Sequence, residues 1–405
     1  MKVRLTLAVA ILSMGFVLLS AGACVPNEPN KRPQEAPGDS RDGTTGQDSP
    51  GSNTEAAPSK VPGDSAVDPI RQILEDFVGE GPSSLDQVPR APAIFLGVVT
   101  SQGQKTYGLA RAGQSQTPNE ETLFPVNSIS KMLTGLMLAD AVSKGQLQLS
   151  NRLDTLLRAD LGANTGPRTL GQAIAHFASY RENPQNLNFA NTDSPAQAYT
   201  RQQLATCLAD PACSASQAPI GSRYEYGNLA PGLVALALMD HFGKTSYADL
   251  LAEKLITPLQ LESTFANWDL VPAGAAYLKG TRLDGSSIPQ PATMGVLTGA
   301  GGVISNGRDM MRLLGVLLKP SADWQGTVST ATTPIRPGIA YSIDLMDDKG
   351  LLLYSKSGET AGYSSMIMWN AEHQVGVIAF SNVGRSSTTL AKLSRRIIQH
   401  VANAP

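Results

Sequence analysis

The sequence predicts an α/β chain of the α+β kind: an antiparallel sheet of N- and C-terminal strands flanked by helices, plus an all-helical subdomain. Three observations carry this. Strand-like apolar runs cluster at 93–112 and 351–382, far apart in the chain. Between them, over about residues 130–310, apolar residues recur at helical spacing. Amphipathic stretches at 68–80 and 387–402 bracket the strands and would cover the sheet that they form.

The elements follow in order. Asp68 to Glu80 reads as a helix, and Ala93 to Thr100 with Lys105 to Ala112 reads as a hairpin around Ser101-Gln102-Gly103-Gln104. Helical spacing marks Lys131 to Lys144, Arg201 to Leu208, Leu229 to Phe242, Tyr247 to Leu255 and Asp309 to Leu318. Strands return at Leu351 to Lys356, Tyr363 to Asn370 and Val375 to Asn382, and Ser387 to Ala402 closes the chain as an amphipathic helix. The chain has 405 residues, of which 41% are hydrophobic and 16% charged. The folded part of about 340 residues is large for one layer architecture, which favours a sheet domain with a helical subdomain. A net charge of -2 gives no basic footprint, so nucleic acid is not an expected partner.

Residues 1–23 read as an export signal: Lys2 and Arg4 precede an apolar stretch from Leu5 to Leu19 and then small residues. Leu19-Ser20-Ala21-Gly22-Ala23-Cys24 resembles the lipobox of bacterial lipoproteins, which implies acylation at Cys24 and a membrane partner through that lipid. Ala21-Gly22-Ala23 also suits ordinary signal cleavage. Residues 24–66 are rich in Pro, Gly, Ser, Asp and Asn and almost devoid of apolar side chains, so burial cannot offset the entropy of ordering them. They read as a tether with an r.m.s. span of roughly 35 Å, leaving 67–405 as the folded domain of an exported, membrane-anchored protein, periplasmic or on the cell surface.

Three cysteines occur, and with Cys24 assigned to a lipid, Cys207 and Cys213 remain as a pair in an exported chain. A local disulfide is expected. A metal pair is the alternative, but no second Cys or His pair with ligand spacing stands near. His176, His241, His373 and His400 are scattered and read as structural or surface residues.

The chemistry lies in three segments. Ser128-Ile129-Ser130-Lys131 stands where extended Leu123-Phe124-Pro125-Val126 gives way to a helix, which puts Ser128 at the positive end of the helix dipole and Lys131 one turn on, on the same face. Burial would lower the Lys131 pKa and suit it to proton transfer. Ser128 as a plain helix cap is the alternative. Tyr226-Gly227-Asn228 precedes a second helix; from extended backbone its Tyr and Asn, one residue apart, would point the same way, and a tyrosinate there could take the serine proton. Lys356-Ser357-Gly358 ends a strand, where glycine allows close approach of ligand and backbone. Lys356 would stabilise the tyrosinate or grip a substrate carboxylate, and the N–H of Glu359 could join that of Ser128 in an oxyanion hole.

In this order the three segments resemble the penicillin-recognising serine hydrolases, and Tyr-x-Asn points to their class C β-lactamase branch, with its D-alanyl-D-alanine carboxypeptidases/endopeptidases and esterases. The resemblance covers most of residues 69–402. It implies a β-lactamase/transpeptidase-like fold and an acyl-enzyme at Ser128. Lys131 and Tyr226 would transfer protons, Asn228 would bind substrate amide, and Lys356, Ser357, Gly358 and Glu359 would line the substrate site. It further implies β-lactams or peptidoglycan peptides as substrates and no cofactor. Alternatives are an esterase of the same fold or a catalytically weak cell-wall-binding lipoprotein. Four positions depart from the family pattern. His176-Phe177-Ala178-Ser179-Tyr180 stands where His-Thr-Ser-Gly-Leu is common, Asn127 where glycine is frequent, and Gly227 where Ser or Ala is usual. Glu359 adds a carboxylate beside the oxyanion hole.

Overall fold

The computed structural model describes residues 68–79, 93–110, 116–187, 199–288 and 293–404. The expected signal segment, Cys24 and the tether lie outside the described residues. Helix α1 (Pro69–Gly79) is followed by β1 (Ala93–Thr100) and β2 (Gly103–Ala110), then by a short β3 (Leu123–Pro125) that runs into α2 (Ile129–Ser143). The middle of the chain holds α3 (Arg201–Ala209) and α4 (Leu229–His241) among shorter helices. After β4 (Ile304–Asn306) come α5 (Gly307–Leu318), α6 (Ala322–Thr332) and β5 (Asp344–Asp348). The chain then closes with β6 (Leu351–Glu359), β7 (Ser364–Asn370), β8 (Val375–Ser381) and α7 (Ser387–Ala402).

The main sheet has six antiparallel strands in the order β2-β1-β8-β7-β6-β5. Its central joint pairs the two ends of the chain, Ile94 opposite Ser381 through Val99 opposite Gly376. Strand alternation sorts the side chains. Ile94, Leu96 and Val98 with Val375, Val377 and Ala379 pack against α1 and α7. Phe95, Ile367, Trp369, Ile378 and Phe380 face the helical body. On that inner face two glycines admit α5: a Cβ at Gly97 would lie 2.5 Å from Met311 Sδ, and one at Gly376 2.8 Å from the Leu314 side chain.

Helices α2 and α4 form the centre of the helical part, and both are buried almost all round, from Ile129 to Ala141 and from Leu229 to Met239. Their burial explains why apolar residues there outnumber a single stripe. Two-residue strands at Gly280–Thr281 and Ser287–Ile288 interrupt an otherwise helical middle. Cys207, on α3, and Cys213 form a disulfide with Cα atoms 5.2 Å apart.

Several element limits differ from the sequence expectation. Strand β6 continues past Lys356 to Glu359 because its ladder with β7 persists to Glu359 opposite Ser364, so Lys356, Ser357 and Gly358 lie inside a strand. The stretch after Tyr247 is not one regular helix: it passes at Ala252–Ile256 into a wider turn with i→i+5 bonding. Strand β2 starts at Gly103, which leaves a tighter hairpin turn than expected.

A glycine in the middle of α2 tests the packing. Helix propensity alone favours alanine by about 1 kcal/mol, but a Cβ at Gly135 would lie 2.0 Å from the Tyr341 carbonyl oxygen, a backbone atom. Gly135→Ala is therefore expected to lower unfolding free energy by about 1–3 kcal/mol, measured by urea unfolding. A stabilised variant would show that α2 can shift away from the 341 loop.

Candidate active site

Ser128 stands at the first turn of α2 in αR backbone, and its side chain makes no cap hydrogen bond. The plain capping role is thus excluded. Asn127, just before it, adopts φ 52°, a left-handed value that Asn tolerates better than most residues and glycine better still. That requirement explains why these two residue types share the position. Strand β6 lies directly on this turn: a Cβ at Gly358 would sit 2.5 Å from the Val126 carbonyl oxygen and 2.8 Å from Asn127 Cβ. From the neighbouring strand, Ser365 Oγ donates to the Val126 carbonyl at 2.8 Å. Ser130, the second serine of the motif, is structural: its hydroxyl donates to the Asn127 carbonyl at 2.6 Å and accepts from the Val303 N–H.

Lys131 projects from α2 with 0% of its surface exposed. Its Nζ donates to Ser128 Oγ at 2.9 Å, to Asn228 Oδ1 at 2.6 Å and to the Ala300 carbonyl at 2.6 Å. Each acceptor comes from a different element. Asn228 stands at the start of α4 in helical backbone, not the extended conformation expected for Tyr226-Gly227-Asn228. Its side chain does not cap the helix, and its Nδ2 donates to Asn183 Oδ1 at 2.7 Å. Ala300 belongs to a short helical turn, Thr298–Gly301, anchored where Thr134 Oγ donates to the Gly299 carbonyl at 2.8 Å. Gly299 permits this contact, since a Cβ there would lie 2.4 Å from that of Ala235.

Tyr226 joins the two lysines. Lys131 Nζ lies 5.1 Å and Lys356 Nζ 4.9 Å from its ring centroid. Burial would raise the phenol pKa, but the ammonium groups of Lys131 and Lys356, with hydrogen bonding to Ser128 and Lys131, bring it below the ordinary tyrosine value. Burial depresses Lys131, partly countered by Tyr226 and reinforced by Lys356. Burial also acts downward on Lys356, yet Tyr226 and Asp344 outweigh it and hold its pKa up. Lys356, 2% exposed, donates to Asp344 Oδ2 at 3.1 Å.

These residues open into a cleft of about 660 Å³. Ser128, Tyr226, Asn228, Lys356, Ser357 and Glu359 all line it. Glu359 is tied aside: its Oε1 accepts from the Ser387 N–H at 2.9 Å, at the positive end of α7, which draws the carboxylate toward that helix. The departures at 176–180 and at 227 prove linked. His176 and Ser179 both have positive φ, and the loop they shape brings Glu182 against Gly227, where a Cβ would lie 2.7 Å from Glu182 Cα. The Glu182 carbonyl accepts from the Asn228 N–H at 2.7 Å. His176 is fully buried 4.7 Å from the Tyr226 ring, and burial followed by the Lys356 and Lys131 charges keeps it neutral.

Sequence reasoning missed four contributors: Asp344, Glu182, Asn183 and the Ala300 carbonyl. Asp344 belongs to Asp-Leu-Met-Asp-Asp, whose acidic composition disguises a strand. A carbonyl carries no sequence signal at all. Among the described residues no group of three or more His, Cys, Asp or Glu side chains could hold a metal ion.

A family model described as Beta-lactamase matches residues 85–402. Among curated proteins the chain is similar to the D-alanyl-D-alanine-carboxypeptidase/endopeptidase AmpH of Escherichia coli, 29% identical over 215 residues that cover 51% of this chain and 52% of AmpH. It is also similar to a Beta-lactamase of Escherichia coli, 26% identical over 199 residues covering 48% and 49%. The chain thus spans about half the length of these curated relatives. In fold it is similar to a class C beta-lactamase, with a TM-score of 0.67 at 16% identity over 83% of this chain and 98% of that one. A Beta-Lactamase/D-Alanine Carboxypeptidase from Pseudomonas syringae gives 0.64 at 17% identity, over 83% and 100%. The architecture is the β-lactamase/transpeptidase-like fold, and the chain belongs to the Beta-lactamase family of serine hydrolases.

Proposed function

We propose that the protein hydrolyses β-lactams or D-alanyl-D-alanine peptides through an acyl-enzyme on Ser128. The observation that carries this reading is the convergence of Ser128 Oγ, Asn228 Oδ1 and the Ala300 carbonyl on Lys131 Nζ. The amide and carbonyl oxygens accept from Nζ, and the Ser128 hydroxyl can accept from an ammonium or donate to a neutral amine, so Ser128 Oγ is fixed on Nζ in either protonation state. In this reading Lys131 fixes Ser128 Oγ, and Tyr226, whose phenol is held below the ordinary tyrosine value, is the base.

In the acylation step the Ser128 proton passes to the Tyr226 phenolate while Oγ bonds to the substrate carbonyl carbon. The N–H groups of Ser128 and Glu359 receive the developing oxyanion. Collapse breaks the C–N bond, and Tyr226 returns the proton to the leaving nitrogen. Water then attacks the ester, and its proton restores the serine. Asn228 holds Lys131 and offers its amide edge to substrate, while Lys356 stabilises the phenolate. A second reading, an esterase, draws support from Asp344, which already occupies the ammonium that a substrate carboxylate would seek.

We place this enzyme outside the cytoplasm, anchored by a lipid on Cys24 with residues 25–66 as tether. The lipobox-like segment and the low-complexity composition support that placement.

Incubation of the protein lacking residues 1–66 with a fluorescent penicillin, followed by intact mass over time, checks the reading. An adduct absent in Ser128→Ala is expected. A lasting adduct indicates a penicillin-binding peptidase and a clearing one a β-lactamase, while neither adduct nor turnover would exclude β-lactams. Tyr226→Phe should lower acylation by roughly 10²–10⁴-fold. The rate should fall as pH drops through the Tyr226 pKa, because only the phenolate accepts the proton. Lys356 helps hold that pKa down, so Lys356→Ala should move the acidic limb of kcat/KM to higher pH. An unmoved limb would count against the phenolate.

A further inference from the structure

Among the described residues, the charged side chains that line the cleft are Glu182, Asp344, Glu359 and Lys356. Three carboxylates face one ammonium, and that ammonium is already engaged: Lys356 Nζ lies 3.1 Å from Asp344 Oδ2. The two ends of the pair differ in exposure, with side-chain values of 3% for Lys356 and 40% for Asp344. Substrate entering the cleft therefore meets the carboxylate before the lysine. Glu359 is drawn toward Ser387, which leaves Glu182 and Asp344 to face the cleft. Both line the same cleft as Tyr226, and Asp344 is also the partner of Lys356.

An independent feature points the same way. Tyr224 lines the cleft with 46% of its surface exposed, and its ring is held edge-on against His176 and Phe177, at 5.5 and 5.9 Å between centroids. An open, fixed aromatic ring in a cleft lined by carboxylates suits an ammonium group, which gains from both the negative ring face and the carboxylate charge. A carboxylate entering the same cleft would meet like charge.

We propose that Glu182, Asp344 and Tyr224 make the cleft selective for acyl-transfer substrates that carry a protonated amine near the scissile carbonyl, with Asp344 also keeping Lys356 from acting as a carboxylate clamp. This rests on the acyl-enzyme reading above and specifies its substrate class. The chemistry is unchanged: the amine is bound, not consumed, and no co-reactant is needed.

Ampicillin and benzylpenicillin form a matched test pair, since they share the reactive ring system and differ by one α-amino group on the acyl side chain. Second-order acylation of Ser128 would be followed by intact mass in mildly acidic buffer, where an α-amino group is protonated. The expected result is acylation by ampicillin about tenfold faster than by benzylpenicillin, the size of one charge-assisted contact. The ratio should fall toward one in Asp344→Asn and in Glu182→Gln, and Asp344→Asn should raise the absolute rate with benzylpenicillin. Comparable acylation of wild type by both compounds, or a preference that survives both substitutions, would overturn the assignment. Absence of a Ser128 adduct from either compound would instead overturn the β-lactam reading, and the selectivity with it.

Discussion

The buried amino group of Lys131 organises this protein. Taking such a polar group out of water costs several kcal/mol unless it is hydrogen-bonded. The three partners of Lys131 belong to the start of α2, the start of α4 and the Thr298–Gly301 turn, so the group is satisfied only when all three elements are in place. Much of the glycine placement nearby follows from that demand: Gly299 brings the 298–301 turn against α4, and Gly227 lets the 182 loop close over Asn228. The serine, by contrast, needs little support of its own, since its position is fixed by the turn below it and the lysine behind it.

The same demand accounts for the departures from the family pattern. Residue 227 has no side chain because Glu182 Cα occupies the space, and residue 182 is there because the loop from His176 to Tyr180 folds through two left-handed residues. Loop and glycine form one structural unit rather than two separate substitutions. Asn127 serves where glycine otherwise would, and its side-chain amide also reaches the Tyr363 carbonyl at 3.4 Å, linking the serine turn to the residue just before β7. Glu359 is accommodated because the N-terminus of α7 lies beside it and accepts its charge.

Most of the architecture was readable in the sequence because burial writes a period into it. Helix α7 carries that period and was located to the residue, whereas strands β1, β7 and β8 and helix α4, buried on every side, read as near-continuous apolar runs. The candidate site was readable for a different reason: Ser128, Lys131, Tyr226, Asn228 and Lys356 fall in short motifs whose residue types already imply the chemistry. What escaped had no such signal. Strand β5 pairs through its backbone while its side chains stay acidic and half exposed, so nothing marks Asp344 as part of a strand. Helix α6 carries many small and hydroxylated residues and packs against α2 through Thr327, Val328 and Ala331, a face too weakly apolar to show a period. Backbone conformation at Asn228 was misjudged because its neighbours Tyr226 and Gly227 are not helical.

The central joint of the sheet has a bearing on how the protein comes into being. The Ala93 N–H is met by Asn382 at a separation of 289 residues, and β1 has no other long neighbour than β2 until β8 arrives. Lys356 likewise joins Ser128 from late in the chain. A growing polypeptide can form its helical middle early, but Ser128 acquires Lys356 and its flanking strand only when nearly the whole chain is present. The candidate site is therefore assembled last, by the connectivity of the sheet alone.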